Sequence, residues 1–223
     1  MVRIDTPLRH VLVSVQILSH RGQWLRAEER NTSEAFKRSF ANGFGTETDL
    51  RDMGGELVVS HDPPIGEVES FKDFLSLHRQ INPSLPLALN VKSDGLQDLL
   101  ATAFKGYGVE NYFLFDMSVP DLLVSLRKGL RCFSRQSDVE PVPAFYDECE
   151  GLWMDVFRVD WIKAPDIRKV VDDGKKAALV SPELHGRPHL PLWERLFEWN
   201  LTSESNLLLC TDFPDQAKAF FAC

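Results

Sequence analysis

Apolar residues along this chain gather into short β-type runs that alternate with stretches of helical periodicity. The first run covers residues 11–18 and leads into Ser19-His20-Arg21-Gly22. Asn31-Thr32-Ser33-Glu34 has the form of a capping box, with Ala35, Phe36 and Phe40 on one face and Asn42-Gly43 as the stop. Gly45-Thr46-Glu47-Thr48-Asp49-Leu50-Arg51 reads as the second strand. Met53-Gly54-Gly55-Glu56 is a tight connection, and Val58-Val59-Ser60-His61-Asp62 returns as a short strand ended by Pro63, so a hairpin is predicted. A helix from about Ser70 carries Phe71, Phe74 and Leu75 and stops before Pro83.

Further strands follow at 86–92, 112–116, 131–134, 152–157, 177–181 and 206–211. The helices between them are one capped by Ser93 or Asp94 with Leu96, Leu99, Leu100 and Ala103, then 118–129 with Pro120 in its first turn, 165–173, 191–199 and 215–222. Residues 137–150 give no readable element, because Pro141 and Pro143 interrupt any helix. Eight strand–helix units with near-continuous apolar strands predict a parallel sheet buried on both faces, and its natural closure is an α/β (β/α)8 TIM barrel. An open doubly wound sheet shares this periodicity, but no Gly-rich phosphate loop follows the first strand. At 223 residues, against roughly 250 for a usual barrel, the expectation is one compact domain over 1–223 without a large insertion.

Composition narrows the function. A net charge of −8 and a pI of about 5.3 leave no electrostatic footprint for nucleic acid. No apolar run approaches the roughly 18–20 residues that span a bilayer. Arg3 and Arg9 ahead of 11–18 mimic a signal peptide, but the run is short, lacks a small-residue cleavage site and leads straight into His20. Cys132, Cys149, Cys210 and Cys223 lack metal-ligand spacing and read as reduced thiols. With no leader and no spanning run read, the expected location is the cytoplasm by default.

Candidate chemistry sits at the strand ends. Glu47 and Asp49 are two apart on a strand and share a face, where two acids repel unless something positive lies between them; hard oxygen ligands call for Ca²⁺ or Mg²⁺. E-x-D is short and common, and alone it reads as a solvated strand face. The hairpin brings His61 back toward the pair, and His20 ends the first strand beside Arg21. An imidazole there has the pKa of a general acid or base. Two histidines, two acids and an arginine at strand ends suit phosphodiester cleavage. Lys92 shares a strand face with Asn90 and needs a charged partner. His10, His78, His185 and His189 have no acid at useful spacing and read as surface or loop residues. Trp153 and Trp161 read either as lining a pocket mouth or as core aromatics.

His20-Arg21-Gly22, Asn31-Thr32, Glu47-x-Asp49, His61-Asp62, Leu89-Asn90-Val91-Lys92 and Thr211-Asp212-Phe213-Pro214-Asp215 follow in an order that resembles the glycerophosphodiester phosphodiesterase family, related to the sphingomyelinase D type. The resemblance implies a metal-dependent phosphodiesterase acting on a small-molecule or lipid phosphodiester. It implies Glu47, Asp49 and Asn90 around a divalent cation, His20 and His61 as acid and base, and Arg21 and Lys92 on the phosphate; Asp94, two steps along the strand face from Lys92, and Trp161, at the pocket mouth, are candidate accessory residues. The chain departs from the pattern twice. Asn90 stands where the family has a glutamate, which removes a charge and implies weaker metal binding unless Asp94 or Asp116 compensates. Arg30 takes the place of the glutamate before Asn-Thr. A barrel that binds a phosphodiester headgroup without turning it over is therefore the second reading.

Overall fold

A computed structural model describes residues 15–222. In chain order it runs β1 (Gln16–His20), α1 (Ser33–Ala41), β2 (Gly45–Met53), β3 (Glu56–Val59), β4 (Glu69–Ser70), α2 (Phe71–Ile81), β5 (Leu87–Val91), α3 (Gln97–Tyr107), β6 (Tyr112–Phe115), α4 (Val119–Arg127), β7 (Phe133–Gln136), β8 (Gly151–Met154), α5 (Ala164–Asp172), β9 (Lys176–Val180), α6 (Leu190–Glu198), β10 (Leu207–Thr211) and α7 (Pro214–Phe221). Short 3-10 turns occupy Ala27–Glu29 and Pro182–His185.

Eight of the strands are parallel and follow one another around a ring: β1, β2, β5, β6, β7, β8, β9, β10 and back to β1. The ring closes between β6 and β7 through a single bridge, Leu114 to Cys132, where Leu114 N donates to Arg131 O at 2.9 Å. This is the predicted (β/α)8 barrel. β3 and β4 extend β2 as an antiparallel flap, with Gly54 (φ 62°) and Gly55 (φ 84°) making the left-handed two-residue turn.

Alternation along the strands sorts side chains into two layers. Leu50, Leu87, Leu89 and Val91 face the helices with Phe36, Phe74 and Leu100. Ala88, Phe113, Phe115, Phe133, Trp153, Ala178, Leu208 and Cys210 fill the barrel. Phe113 stacks on Phe133 at 3.7 Å and Phe115 on Trp153 at 3.9 Å, so Trp153 is a core residue. The same alternation turns Glu47, Asp49 and Asn90 inward, opposite Leu50 and Leu89.

Several local expectations need correction. Among the described residues there are seven α-helices, because 137–150 passes from β7 to β8 without one. Pro141 and Pro143 remove donors there, and Ser137 Oγ instead accepts from Glu140 N at 3.0 Å. β7 lies two residues later than predicted, residues 131–132 being spent on the barrel-closing contacts. α3 starts at Gln97, not after a Ser93 or Asp94 cap, since Asp94 accepts from Ser118 Oγ at 2.9 Å. Thr32 caps α1 by accepting from Ala35 N, but Glu34 completes no capping box. Much of the first predicted strand, 11–14, and His10 lie outside the described residues. His78 is buried on α2, not on the surface, with Nε2 2.9 Å from Leu85 O. Cys132, Cys149 and Cys210 are buried free thiols; Cys223 lies outside the described residues. Among the described residues no helix is long and apolar enough to cross a membrane.

Gly45 opens β2 where three strands crowd together: an added Cβ would lie 2.6 Å from Leu18 Cδ2 and 2.7 Å from Pro86 O. Gly45→Ala is expected to lower stability by about 1–3 kcal/mol, read as a lower urea midpoint at unchanged slope. An unchanged midpoint would contradict this packing.

Candidate active site

The C-terminal ends of the strands carry a connected polar network, as barrels of this kind require for chemistry. Its base is the loop after β1. Arg21 (φ 58°) and Asn31 (φ 59°) both hold left-handed backbone, and Asn31 N donates to Arg21 O at 2.9 Å. Gly22 (φ 83°) has no room for a side chain, since a Cβ would meet Ala35 Cβ at 2.8 Å. The loop is fastened to β2: Arg21 N donates to Glu47 O at 2.9 Å, Thr48 Oγ1 donates to Asn31 Oδ1 at 2.9 Å, and Asn31 Nδ2 donates to Asp49 Oδ2 at 3.0 Å.

Glu47 and Asp49 are 2% and 1% exposed. Cations surround Asp49, with Arg21 Nε 3.0 Å from Oδ2 and Lys92 Nζ 3.5 Å from Oδ1. Glu47 has less compensation: the Arg21 backbone N–H at 3.3 Å and His20 Nε2 at 3.9 Å. Burial, and then the Asp49 charge, push the Glu47 carboxyl up to about 7. Asn90 is paired with Asp49 across β2 and β5. Its Nδ2 donates to Asp116 Oδ2 at 3.3 Å, while its Oδ1 is buried and has no partner. Asp116 is the acid that stands beside Asn90, and Arg135 holds it at 2.8 Å. Among the described residues Asp94 accepts from Ser118 Oγ and makes no bond to the network.

His20 sits on the other side of Glu47. Its Nδ1 is 2.7 Å from Asp212 Oδ1, and Trp24 Nε1 donates to its carbonyl at 3.1 Å. Arg30 stacks on Trp24 at 4.3 Å and reaches Asp212 Oδ2 at 3.5 Å, so the residue that departs from the family pattern is a partner of this dyad. Glu183 holds Asp212 from behind, accepting from its N–H at 3.1 Å and from Thr211 Oγ1.

His61 lies apart from this contact network. Its side chain is 48% exposed and its Nδ1 pairs with Asp62 at 2.8 Å. It lines a cleft of about 840 Å³ together with Arg21, Arg30, Asn31, Ser60 and Glu69. A second cavity of about 500 Å³, bounded by Val15, Gly45 and Pro86, lies at the opposite end of the barrel from these acids.

Sequence spacing missed a further acid–imidazole pair. Asp155 at the end of β8 lies 2.7 Å from His185 Nε2, thirty positions apart in sequence, and the parallel pairing of β8 with β9 brings the two strand ends together. Trp161 Nε1 donates to Asp155 O at 2.7 Å, which makes that tryptophan a brace for the same strand end.

No protein-family model and no curated protein matches the sequence. Solved structures do. A glycerophosphodiester phosphodiesterase from Agrobacterium tumefaciens str. C58 superposes with TM-score 0.65 at 15% identity, covering 93% of this chain and 99% of that one. This chain shares the (β/α)8 fold of that enzyme. A glycerophosphoryl diester phosphodiesterase from Parabacteroides distasonis gives TM-score 0.68 at 12% identity, over 93% of this chain and 86% of that one. A phosphodiesterase from Oleispira antarctica, solved with its product sn-glycerol-3-phosphate, gives 0.64 at 14% identity, over 93% and 97%.

The residues present fit a hard divalent cation. Glu47 and Asp49 face inward together, and the buried, unpartnered Asn90 Oδ1 is an oxygen free to join them. The set holds two carboxylates and an amide; among the described residues no three His, Cys, Asp or Glu side chains form a metal-type cluster.

Glu47 contributes to the pH dependence of the metal-free protein. Its folded pKa of about 7 lies above the ordinary value of 4.5, so its contribution to stability is fully present below pH 4.5 and is lost as pH rises through 7. In EDTA, the melting temperature of wild type relative to Glu47→Gln is expected to fall between pH 4.5 and 7 and then level off. Parallel melting curves for the two proteins would contradict it.

Proposed function

We propose that this chain is a phosphodiesterase that cleaves a glycerophosphodiester or related phospholipid headgroup phosphodiester with the help of Ca²⁺ or Mg²⁺. The observation that carries the reading is the His20–Asp212 dyad beside a buried Glu47–Asp49 pair on the mouth of a barrel of this fold. The product bound to the Oleispira enzyme, sn-glycerol-3-phosphate, supports the substrate class. Three buried thiols suit a cytoplasmic setting.

Glu47, Asp49 and Asn90 would hold the cation, which supplies Lewis-acid stabilisation to a nonbridging phosphate oxygen. Arg21 and Lys92, both already at the acid pair, face the charge that develops as the phosphorus becomes five-coordinate. With its Nδ1 proton directed to Asp212, His20 exchanges a proton at Nε2. His61, across the cleft with Arg21 and Arg30, takes the complementary part. One imidazole accepts the proton of the attacking water or substrate hydroxyl as the new P–O bond forms. The other donates a proton to the leaving alkoxide as the old P–O bond breaks.

One observation favours the binding reading. Arg21 and Lys92 already balance Asp49, and Asn90 adds no charge, so this barrel could hold a phosphodiester without turning it over. Turnover of glycerophosphodiesters, lysophospholipids and bis-p-nitrophenyl phosphate with Ca²⁺, Mg²⁺, Mn²⁺ or EDTA separates the two. Metal-dependent release of a phosphomonoester is expected; binding without turnover in every condition would overturn the enzymatic reading.

Two variant series sharpen this. His20→Ala and His61→Ala are each expected to lower kcat by about 10² to 10⁴, with the melting temperature of the exposed His61 variant unchanged. Full activity in either variant would remove that histidine from the chemistry. Asn90→Asp is expected to tighten metal binding in calorimetry, because it adds a charge to an oxygen donor already in place. Weaker binding with a lower melting temperature would show that Asn90 is no ligand.

A further inference from the structure

The segment joining β9 to α6 crosses the barrel mouth and is pinned at three alternate residues. Glu183 bonds Thr211 and Asp212, His185 pairs with Asp155, and Arg187 donates to the carbonyl of Val156. Arg187 is unusual in its charge balance. It is half-buried, it has no carboxylate partner among the described residues, and its Nε is buried with no acceptor. Arg195 on α6 shows the same unsatisfied Nε, although its Nη1 pairs with Asp160 at 2.7 Å and its guanidinium lies 5.5 Å from the Trp199 ring centre.

Both arginines line one cavity of about 140 Å³, walled by Val156, Ile162, Val180 and Leu192. That volume is well above the roughly 10–15 Å³ a single water needs and below the roughly 300 Å³ at which pockets for larger ligands begin. Two guanidiniums against one carboxylate leave a net positive charge. The first turn of α6, which contributes Pro191 and Leu192 to the lining, carries no acidic residue, so the positive end of its dipole is uncompensated. A partly desolvated cation with unpaired donors is costly unless an anion satisfies it.

We propose that Arg187 and Arg195 form a second anion site, separate from the Glu47–Asp49 centre and sized for one phosphate group, either inorganic phosphate or the phosphomonoester of a small molecule. A structural tether to Val156 needs a single N–H, which glutamine also offers; a phosphate site needs the guanidinium. The test is calorimetric titration with inorganic phosphate and with sn-glycerol 3-phosphate, in EDTA, for wild type, Arg187→Gln, Arg195→Gln and Arg21→Gln. Arg187→Gln and Arg195→Gln are each expected to weaken phosphate binding about tenfold or more, while Arg21→Gln leaves this event in place. Tighter binding of free phosphate points to that ion as the occupant, and tighter binding of the monoester points to a substrate or product group. Among the described residues the Arg195 side chain bonds no backbone group, so its variant reads the site even where Arg187→Gln fails to fold. Wild-type heats in both variants, or loss in Arg21→Gln alone, would overturn the proposal.

Discussion

Two carboxylates buried side by side at the inner end of β2 set the terms for everything around them. Glu47 and Asp49 cannot both be charged in a dry barrel mouth without positive charge close by. Arg21 and Lys92 supply it to Asp49, and the loop carrying Arg21 adopts left-handed backbone at Arg21 and Asn31 to reach it. Gly22 then lets α1 pack against that loop. Glu47 is left with a backbone N–H and an imidazole, and its carboxyl holds its proton up to about pH 7. A structure that keeps an acid half-compensated in its interior has a site suited to an incoming cation.

From that pair outward the barrel mouth divides into a cationic and an imidazole side. Toward β5 and β6, Asn90 leads to Asp116, Lys92 and Arg135, so an acid stands one strand along from Asn90, tied to its own arginine. Toward β10 and β9, His20 leads to Asp212, Arg30 and Glu183. The charges of Glu47, Asp212, Glu183 and Asp155 all bear on the buried Cys210 thiol and add to the burial that raises its pKa, which places these acids around one barrel opening.

Strand periodicity made the barrel legible, because parallel strands buried on both faces leave near-continuous apolar runs, and Glu47, Asp49 and His20 stood out as polar breaks at their ends. What sequence did not show has physical reasons. The two-residue β4 is too short for any pattern. The β7 register depended on a single closing bridge at Cys132. His185 has no acid nearby in sequence, yet Asp155 reaches it from the neighbouring strand, a contact that depends on the pairing of β8 with β9. Arg30 read as a departure from a motif, and only its stacking on Trp24 showed that it stands beside Asp212. His61, expected near the acids, stands at the rim of the cleft with Asp62, since Pro63 and the flap turn its strand end toward solvent.

The most direct measurement is anomalous scattering from crystals soaked in Mn²⁺, which reports where a hard cation settles among these oxygens. One peak about 2.0–2.6 Å from Glu47, Asp49 and Asn90 Oδ1 is expected. A peak elsewhere on the barrel, or none at millimolar Mn²⁺ while Lys92 and Arg21 stay on Asp49, would contradict a metal centre built on this pair.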